Sequence, residues 1–156
     1  MTVFRFALSS DLPVPVEAML ATFTLHEVNA ELWPLVRMTA PAQWAQIPLH
    51  EWPERQHLFN SWILLLCVLP IDRHAFYLKS VMPGRGFAET SSSMVNSRWD
   101  HERLIVPIAG GCRVTDTVAY RSRISVLGYL LKPAYQLVFR WRHRRLRSRF
   151  GGHNSQ

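Results

Sequence analysis

The spacing of apolar residues changes several times along this chain, and the changes mark the predicted elements. Residues 3–8 give a short β-like start. Apolar residues at helical spacing then predict a helix over residues 15–24, and a second short helix over residues 26–33 ends before Pro34. The chain therefore begins with a strand followed by one or two short helices.

Prolines interrupt every regular pattern in residues 34–58. Only short strands near residues 35–38 and 44–47 are predicted there.

The centre of the chain carries patterns typical of β-strands. Residues 61–69 are a continuous apolar run, which predicts one buried strand. Residues 72–81 alternate, with His74, Phe76, Leu78 and Ser80 on one face, and residues 87–94 resume an extended pattern after the turn at residues 83–86. Strand-like segments at 98–108 and 112–121 flank Ala109-Gly110-Gly111, which predicts a hairpin.

The last predicted element is a long amphipathic helix over residues 125–149. Gly151-Gly152 ends it, and residues 151–156 are predicted to be a disordered tail. A sheet with one apolar face must cover that face, and this helix is the one predicted element large enough to do so. We therefore expect a single α+β domain over residues 1–150, a curved antiparallel sheet wrapped around a long C-terminal helix.

The composition fits a globular domain with a sizeable core. The chain has 156 residues, of which 48% are hydrophobic and 19% charged. Cys67 and Cys112 form no CxxC motif and no zinc-binding spacing, so buried free thiols in a reducing cytoplasm are expected. No signal peptide is predicted, and the longest apolar run, residues 62–69, is too short to span a bilayer.

Positive charge is concentrated at the C-terminus. Residues 117–156 contain nine of the 18 Lys and Arg residues and no acidic residue. The favoured interpretation is a solvated helix face, with the cations stabilised near the C-terminus by the helix dipole. The alternatives are contact with an anionic membrane surface or, less well supported in the absence of a recognisable motif, with nucleic acid. The candidate anionic-surface residues are Arg140, Arg144, Arg145 and Arg147.

Three segments carry a resemblance to a known superfamily. Residues 86–91 (GFAETS), 98–103 (RWDHER) and 110–121 (GGCRVTDTVAYR) resemble the second half of START-like (SRPBCC, helix-grip) proteins, which include polyketide cyclases/dehydrases. The segment 127–131 with Pro133 and the Arg-rich helix is similar to the closing helix of a bacterial ligand-binding subgroup. The resemblance implies an internal cavity that binds a small hydrophobic molecule, such as a lipid, isoprenoid or aromatic polyketide.

The predicted hairpin places a polar group on its inner face. Centring the turn between Gly110 and Gly111 pairs Ile105 with Asp116, Arg103 with Val118, His101 with Tyr120, and Trp99 with Ser122. Arg103 and Asp116 are then diagonal neighbours. The inward polar set of His101, Arg103, Asp116 and Tyr120 either satisfies itself or orients a ligand, and an acid–base role is a further alternative.

The sequence thus predicts a ligand pocket and leaves an enzymatic role open. If the protein is an enzyme, a cyclase/dehydrase-type reaction is expected, with His101 and Tyr120 as the weak catalytic candidates. The seven histidines are scattered and match no metal motif, so neither a metal nor a cofactor is expected. The predicted pocket residues are Trp62, Phe76, Leu78, Phe87, Trp99, His101, Arg103, Asp116, Tyr120, Leu131, Tyr135 and Val138.

Overall fold

The structure, a computed structural model, describes residues 2–154 and contains one curved antiparallel sheet around one long helix. The strand order in the sheet is β2-β3-β4-β5-β6-β7-β1-β8. The elements in chain order are β1 (Phe4–Leu12), α1 (Val16–Leu20), α2 (Leu25–Leu32), β2 (Val36–Met38), α3 (Ala42–Ala45), a 3₁₀ turn (Leu49–Glu51), β3 (Gln56–Leu65), β4 (Leu69–Met82), β5 (Gly86–Ser93), β6 (Asn96–Ile108), β7 (Gly111–Ser122), α4 (Ser125–Phe150) and β8 (His153–Asn154).

Strands β2 to β7 follow one another in the sheet, and β1 closes it by pairing with β7. Alternating burial along β4 to β7 shows that one face of the sheet is turned inward. Helix α4 packs along β1 and β7, and α2 packs on α4. The predicted α+β helix-grip fold is confirmed.

The two short helices after β1 are present where the sequence predicts helices. Thr24 caps α2 by accepting a hydrogen bond from the backbone N–H of Glu27. Asn29, on the same helix, donates to the Met38 carbonyl and accepts from the Met38 N–H. This paired contact fastens α2 to β2, the strand that the sequence predicts near residues 35–38.

The strand predicted near residues 44–47 is wrong. Residues Ala42–Ala45 instead form one helical turn that begins after Pro41. Proline has a backbone angle that suits a helix start, and the turn packs the half-buried Trp44 against Trp52 and Phe59. These aromatic contacts, with residues outside the predicted strand, stabilise the helical turn.

The single strand predicted over residues 61–69 is also wrong. β3 ends at Leu65, the chain reverses, and β4 begins at Leu69. The Val68 N–H donates to the Leu65 carbonyl across the turn, and the two residues between them, Leu66 and Cys67, have positive φ angles of 49° and 64°. Neither is Gly, Asn or Asp, so the sequence carries no turn signal at this point.

The β6–β7 hairpin is confirmed, but its register differs from the predicted one by two residues. Ile108 pairs with Gly111, so the turn is centred on Ala109-Gly110, where Gly110 has a φ of 81°. Arg103 therefore lies directly opposite Asp116 rather than diagonal to it. Because side chains alternate with a period of two, a shift of two residues leaves the predicted inward face unchanged.

The chain continues in regular structure beyond α4. Gly151 ends the helix with a left-handed backbone, and its N–H donates to the Arg147 carbonyl. His153–Asn154 then pair with Ser10 and Asp11 of β1. These residues belong to the segment predicted as a disordered tail, of which residues 155 and 156 lie outside the described residues.

Two apolar clusters form the core. The larger lies beneath α1, the 3₁₀ turn and the strands β3 to β7, with Met19, Leu78 and Ile105 fully buried. The smaller joins Phe4 of β1 and Tyr120 of β7 to Phe139 of α4. Between these clusters the inner face of the sheet stands away from α4, and this gap is where the candidate site lies.

Replacing Gly111 with Ala should destabilise the protein, because the added Cβ would lie 2.0 Å from the Leu12 carbonyl oxygen. We expect a loss of roughly 2–4 kcal/mol in the free energy of unfolding, measured by urea denaturation. Gly110→Asn is the control, since its surroundings are open and Asn tolerates a positive φ. Equal stability of the two variants would contradict this close approach.

Candidate functional site

A fully buried arginine lies at the centre of the molecule. Arg103 of β6 donates to both carboxylate oxygens of Asp116 on β7, with Nε–Oδ1 and Nη2–Oδ2 distances of 2.9 and 2.7 Å. Its Nη1 also donates to Glu31 of α2 at 3.1 Å. The guanidinium thus joins the sheet to the helical layer through hydrogen bonds that are each charge-assisted.

Two residues of α4 extend this network. Arg142 Nε donates to Glu31 Oε2 at 2.5 Å, and His143 Nε2 lies 3.0 Å from Asp116 Oδ2. The other ring nitrogen of His143 lies 2.8 Å from the hydroxyl of Ser10 on β1. The long helix is therefore fixed to α2, β1 and β7 by buried polar contacts as well as by apolar packing.

The network continues along the inner face of the sheet toward β4. His101 Nε2 lies 2.7 Å from Asp116 Oδ1, and its Nδ1 lies 3.8 Å from Glu89 Oε2. Glu89 in turn contacts His74 Nε2 at 2.5 Å and accepts a hydrogen bond from Ser91 at 2.6 Å. Carboxylates and basic groups alternate, so every carboxylate has a cationic or hydrogen-bonding neighbour.

Burial and charge act in opposite directions on these groups. Burial alone would raise the pKa of Glu89, but His74 and His101 offset it and lower the pKa from 4.5 to about 2. Arg103 and Arg142 likewise outweigh the burial of Asp116 and hold its pKa well below 3.8. Burial would lower the pKa of His101, but its bonds to Asp116 and Glu89 raise it above 6.5.

A cavity of about 330 Å³ lies between the sheet and α4 beside this network. Its wall is mainly apolar and comes from α2, α4 and the strands β2 to β6. The polar groups on the wall are Asp72, His74, Glu89, Asn96, His101, Tyr135 and Arg142. An apolar chamber with a few converging polar groups is the usual form of a small-molecule site.

Two polar atoms of the cavity-lining residues have no partner among the described residues. They are Nη2 of Arg142, a donor, and Oδ1 of Asn96, an acceptor. The other amide atom of Asn96 donates to the Tyr135 hydroxyl at 2.8 Å. Buried polar groups are rarely left without a hydrogen bond, so these two atoms are hydrogen-bonding groups of the lining residues that the described residues leave unused.

Seven of the predicted pocket residues line this cavity. They are Phe76, Phe87, Trp99, His101, Leu131, Tyr135 and Val138. Leu78 is fully buried in the larger apolar cluster and does not reach the cavity. Arg103 and Asp116 lie in the ionic network behind the wall, where they satisfy one another.

Trp62 and Tyr120 are placed elsewhere. Trp62 is 42% exposed on the outer face of the sheet, where the guanidinium of Arg73 lies over its ring. The prediction that Trp62 lines the pocket is wrong. A continuous apolar run does not show which of its side chains face inward, and the run at residues 61–69 also contains a turn. Tyr120 is buried, its hydroxyl donates to the Gly128 carbonyl at 2.8 Å, and burial raises its pKa to about 12.

Several residues of the site were not predicted from the sequence. Glu31 and Arg142 belong to helices whose partners depend on the tertiary fold, and Asn96 lies next to a turn. His74 and Glu89 do have a sequence signal, since each is a polar residue on the inward face of a regularly alternating strand.

The arginines of α4 fall into different environments. Arg145 donates to the Ala30 carbonyl and lies over the Trp33 ring, and Arg147 donates to the Ser10 hydroxyl. Arg140 and Arg144 are exposed and line a surface groove together with Arg113 and Arg147. The anionic-surface role predicted for these residues stays a prediction.

In residues 2–154 no cluster of three or more His, Cys, Asp and Glu side chains is arranged to hold a metal ion. No helix within the same range is both long and apolar enough to cross a membrane.

Solved structures with the same architecture span nearly the whole chain. Protein CV1439 from Chromobacterium violaceum is 10% identical, with a TM-score of 0.66 and coverage of 94% of this chain and 96% of that one. Major latex-like protein 151 from Panax ginseng is 6% identical, with a TM-score of 0.65 and coverage of 96% and 99%. DynU16, from the dynemicin biosynthetic locus, is 14% identical with a TM-score of 0.55, and the match covers 92% of this chain and 46% of DynU16.

The curved antiparallel sheet and the long C-terminal helix give the chain a helix-grip fold. No curated protein matches the sequence. The chain belongs to the family described as "Domain of unknown function (DUF8410)", whose model matches residues 10–150. The fold is therefore that of the superfamily which the sequence resembles, and its function must be argued from the site.

The ionic network predicts a stability maximum in mildly acidic solution. Glu89 and Asp116 have lowered pKa values, so their contribution to stability is present above the ordinary values of 4.5 and 3.8 and is lost as the pH falls through the lowered pKa values, which for Glu89 is about 2. His101 has a raised pKa, so its contribution is present below pH 6.5 and is lost as the pH rises through the raised value. Urea denaturation across pH 2–9 measures both the acidic limb and the alkaline limb of this stability profile, that is, the loss of stability at low pH and at high pH.

The variant His101→Gln tests the assignment of the alkaline limb. It should reduce the loss of unfolding free energy above pH 6.5, whereas His26→Gln, at an exposed position, should leave that loss unchanged. An unaltered alkaline limb in His101→Gln would contradict the assignment.

Arg103→Met should be severely destabilising, because it leaves Asp116 and Glu31 buried without their central partner. We expect a loss of roughly 3–5 kcal/mol in the free energy of unfolding. Arg98→Met removes an arginine of the same strand that pairs with Asp100 at the surface, and it should change stability little. Similar effects of the two variants on the urea midpoint would contradict a central role for Arg103.

Proposed function

We propose that this protein binds one small hydrophobic molecule in the cavity between the sheet and α4. The observation that carries the proposal is the mainly apolar cavity of about 330 Å³ between the sheet and α4. Its volume is at the lower end of the usual range for small-molecule sites, roughly 300–1,000 Å³. A single-chain lipid, an isoprenoid or an aromatic polyketide-like ring system therefore suits it better than a two-chain lipid.

Packing energetics support a ligand-binding role for this cavity. Apolar side chains beside unfilled volume lose the van der Waals contacts that close packing would give them, which reduces stability. The exposed Leu65 and Ile71 belong to the wall, so the cavity is partly open to solvent. A bound hydrophobic molecule supplies the missing contacts.

The polar atoms on the wall indicate what else the ligand carries. Arg142 Nη2 offers a hydrogen bond, and Asn96 Oδ1 accepts one. We propose that the ligand has at least one oxygen-bearing polar group, such as a hydroxyl or a carboxyl, that lies against Arg142. The apolar remainder would contact the aromatic and aliphatic wall that includes Trp52 and Phe76.

A cyclase/dehydrase-type reaction has less support than binding. His101 has one ring nitrogen at Asp116 and the other near Glu89, and its raised pKa disfavours the neutral form that a general base requires. Tyr120 donates to a backbone carbonyl and does not line the cavity. Turnover lost in His101→Gln with ligand binding retained would favour the enzyme instead.

We further propose that the protein works in the reducing cytoplasm. The support is that Cys67 and Cys112 are both free thiols, and Cys112 is fully buried.

Filling the cavity should abolish ligand binding without unfolding the protein. Val138→Trp places an indole in the cavity, because Val138 lines it from α4. We expect at least a tenfold weaker affinity for an environment-sensitive aromatic probe such as anilinonaphthalene sulfonate. Leu137→Trp adds the same side chain at the neighbouring exposed position, which lines the outer groove instead, and serves as the matched control.

Unfolding midpoints of both variants must show that the domain remains folded. Equal probe affinity for Val138→Trp, Leu137→Trp and the unmodified protein would refute the cavity as the binding site.

A further inference from the structure

The β3–β4 hairpin projects beyond its neighbour β5 and ends in large apolar side chains. β3 and β4 pair as far as Leu65 and Leu69, whereas β5 pairs with β4 only from His74 onward. At about 3.3 Å per residue, the hairpin extends roughly 16 Å past the end of β5. The exposed apolar residues on this extension are Leu65, Leu66, Val68, Leu69 and Ile71, with Leu66 and Val68 at 62% and 78% exposure.

The tip of this hairpin has apolar residues in an unfavourable backbone conformation. Leu66 and Cys67 both have positive φ, as in a type I′ turn, for which Asn-Gly is the preferred sequence. Residues other than Gly, Asn and Asp adopt this region at a conformational cost. Strain of this kind is characteristic of functional positions, and here it accompanies an exposed leucine, Leu66, at the hairpin tip.

More exposed apolar residues lie at the same end of the sheet. The backbone N–H of Met94 donates to the Arg73 carbonyl, and the N–H of Arg123 donates to the Val95 carbonyl. These bonds bring the β5–β6 turn and the β7–α4 connection beside the base of the hairpin. We call the exposed apolar residues of these segments the apolar end: Leu65, Leu66, Val68, Leu69, Ile71, Met94, Ile124, Val126, Tyr129 and Leu130.

The apolar end is continuous with the cavity. Leu65 and Ile71 are both exposed and part of the cavity wall, and Val95 lines the cavity beside exposed Met94. A hydrophobic molecule that enters or leaves past these residues would therefore stay in contact with apolar surface.

The charges around the apolar end are positive. The segments that form and adjoin the apolar end contain a single acidic residue, Asp72; they are residues 33–40, 61–73, 91–99 and 121–138. Asp72 is buried and accepts hydrogen bonds from the Arg73 and Val95 N–H groups. Arg37, Arg73 and Arg123 are exposed in the same segments. A second copy of this surface would be repelled by like charge, whereas anionic lipid headgroups would be attracted.

We propose that the apolar end docks on an anionic lipid bilayer, with the hairpin tip in the interfacial region and the flanking arginines at the headgroups. Exposed apolar residues ringed by cations match the two layers of such a membrane surface. Docking would place the cavity next to the hydrocarbon region. The link to ligand exchange rests on the proposed function, but the docking itself does not.

The test is co-sedimentation of the full chain with vesicles of phosphatidylglycerol and phosphatidylcholine. The double variant Leu66→Asn/Cys67→Gly replaces the apolar tip with the sequence that a type I′ turn favours, so the fold should be retained or stabilised. We expect its partition into vesicles to fall at least about tenfold, since the burial of a single Leu is of this order. Leu137→Gln, which removes an exposed leucine at 60% exposure outside the apolar end, should bind as the unmodified protein does.

Three results would overturn the proposal. The first is unchanged vesicle binding by Leu66→Asn/Cys67→Gly. The second is loss of binding in Arg140→Gln/Arg144→Gln alone, which would place the contact on the outer groove. The third is a concentration-dependent dimer, seen by analytical ultracentrifugation, that the hairpin variant dissociates. Val138→Trp should still bind vesicles, so a failure of the docking proposal and a failure of the cavity proposal give different results.

Discussion

The pairing of Arg103 with Asp116 and Glu31 is the contact on which the rest of this structure depends. Each of these groups is removed from water, and burying a charge is strongly unfavourable unless its partners and hydrogen bonds are complete. Arg103 meets that condition by linking β6, β7 and α2. Arg142 and His143 then bind the same two carboxylates from α4. The network therefore acts as a cross-link between the sheet and both helices.

This cross-link also accounts for the cavity. Apolar packing alone would favour collapse of α4 onto the sheet, because close contact buries more surface. The ion pairs instead fix the position of α4 at Arg142 and His143, and Asn96 and Tyr135 fix it again through their mutual hydrogen bond. The helix is thus held at both ends of the gap. The same groups that hold it open also supply the polar atoms on the cavity wall.

Sequence patterns predicted those elements that are determined by residues close together in the chain. The Ala109-Gly110-Gly111 turn and the alternation on either side of it located the β6–β7 hairpin. The predicted register was wrong by two residues, an even number, so the same side chains still face inward. The turn at Leu66-Cys67 could not be predicted, because its residues are those of a strand and the chain adopts the turn at a conformational cost. Glu31 and Arg142 could not be assigned to the site either, since their partners lie 72 or more residues away in the sequence.

The function proposed for the cavity is the binding of a small hydrophobic molecule. Native mass spectrometry of the purified protein, followed by organic extraction and identification of any bound compound, tests it most directly. We predict one hydrophobic molecule per chain, either carried through purification or taken up from added lipids and aromatic compounds, and lost in Val138→Trp. A protein that carries no such molecule and takes up none of the added compounds would contradict the claim.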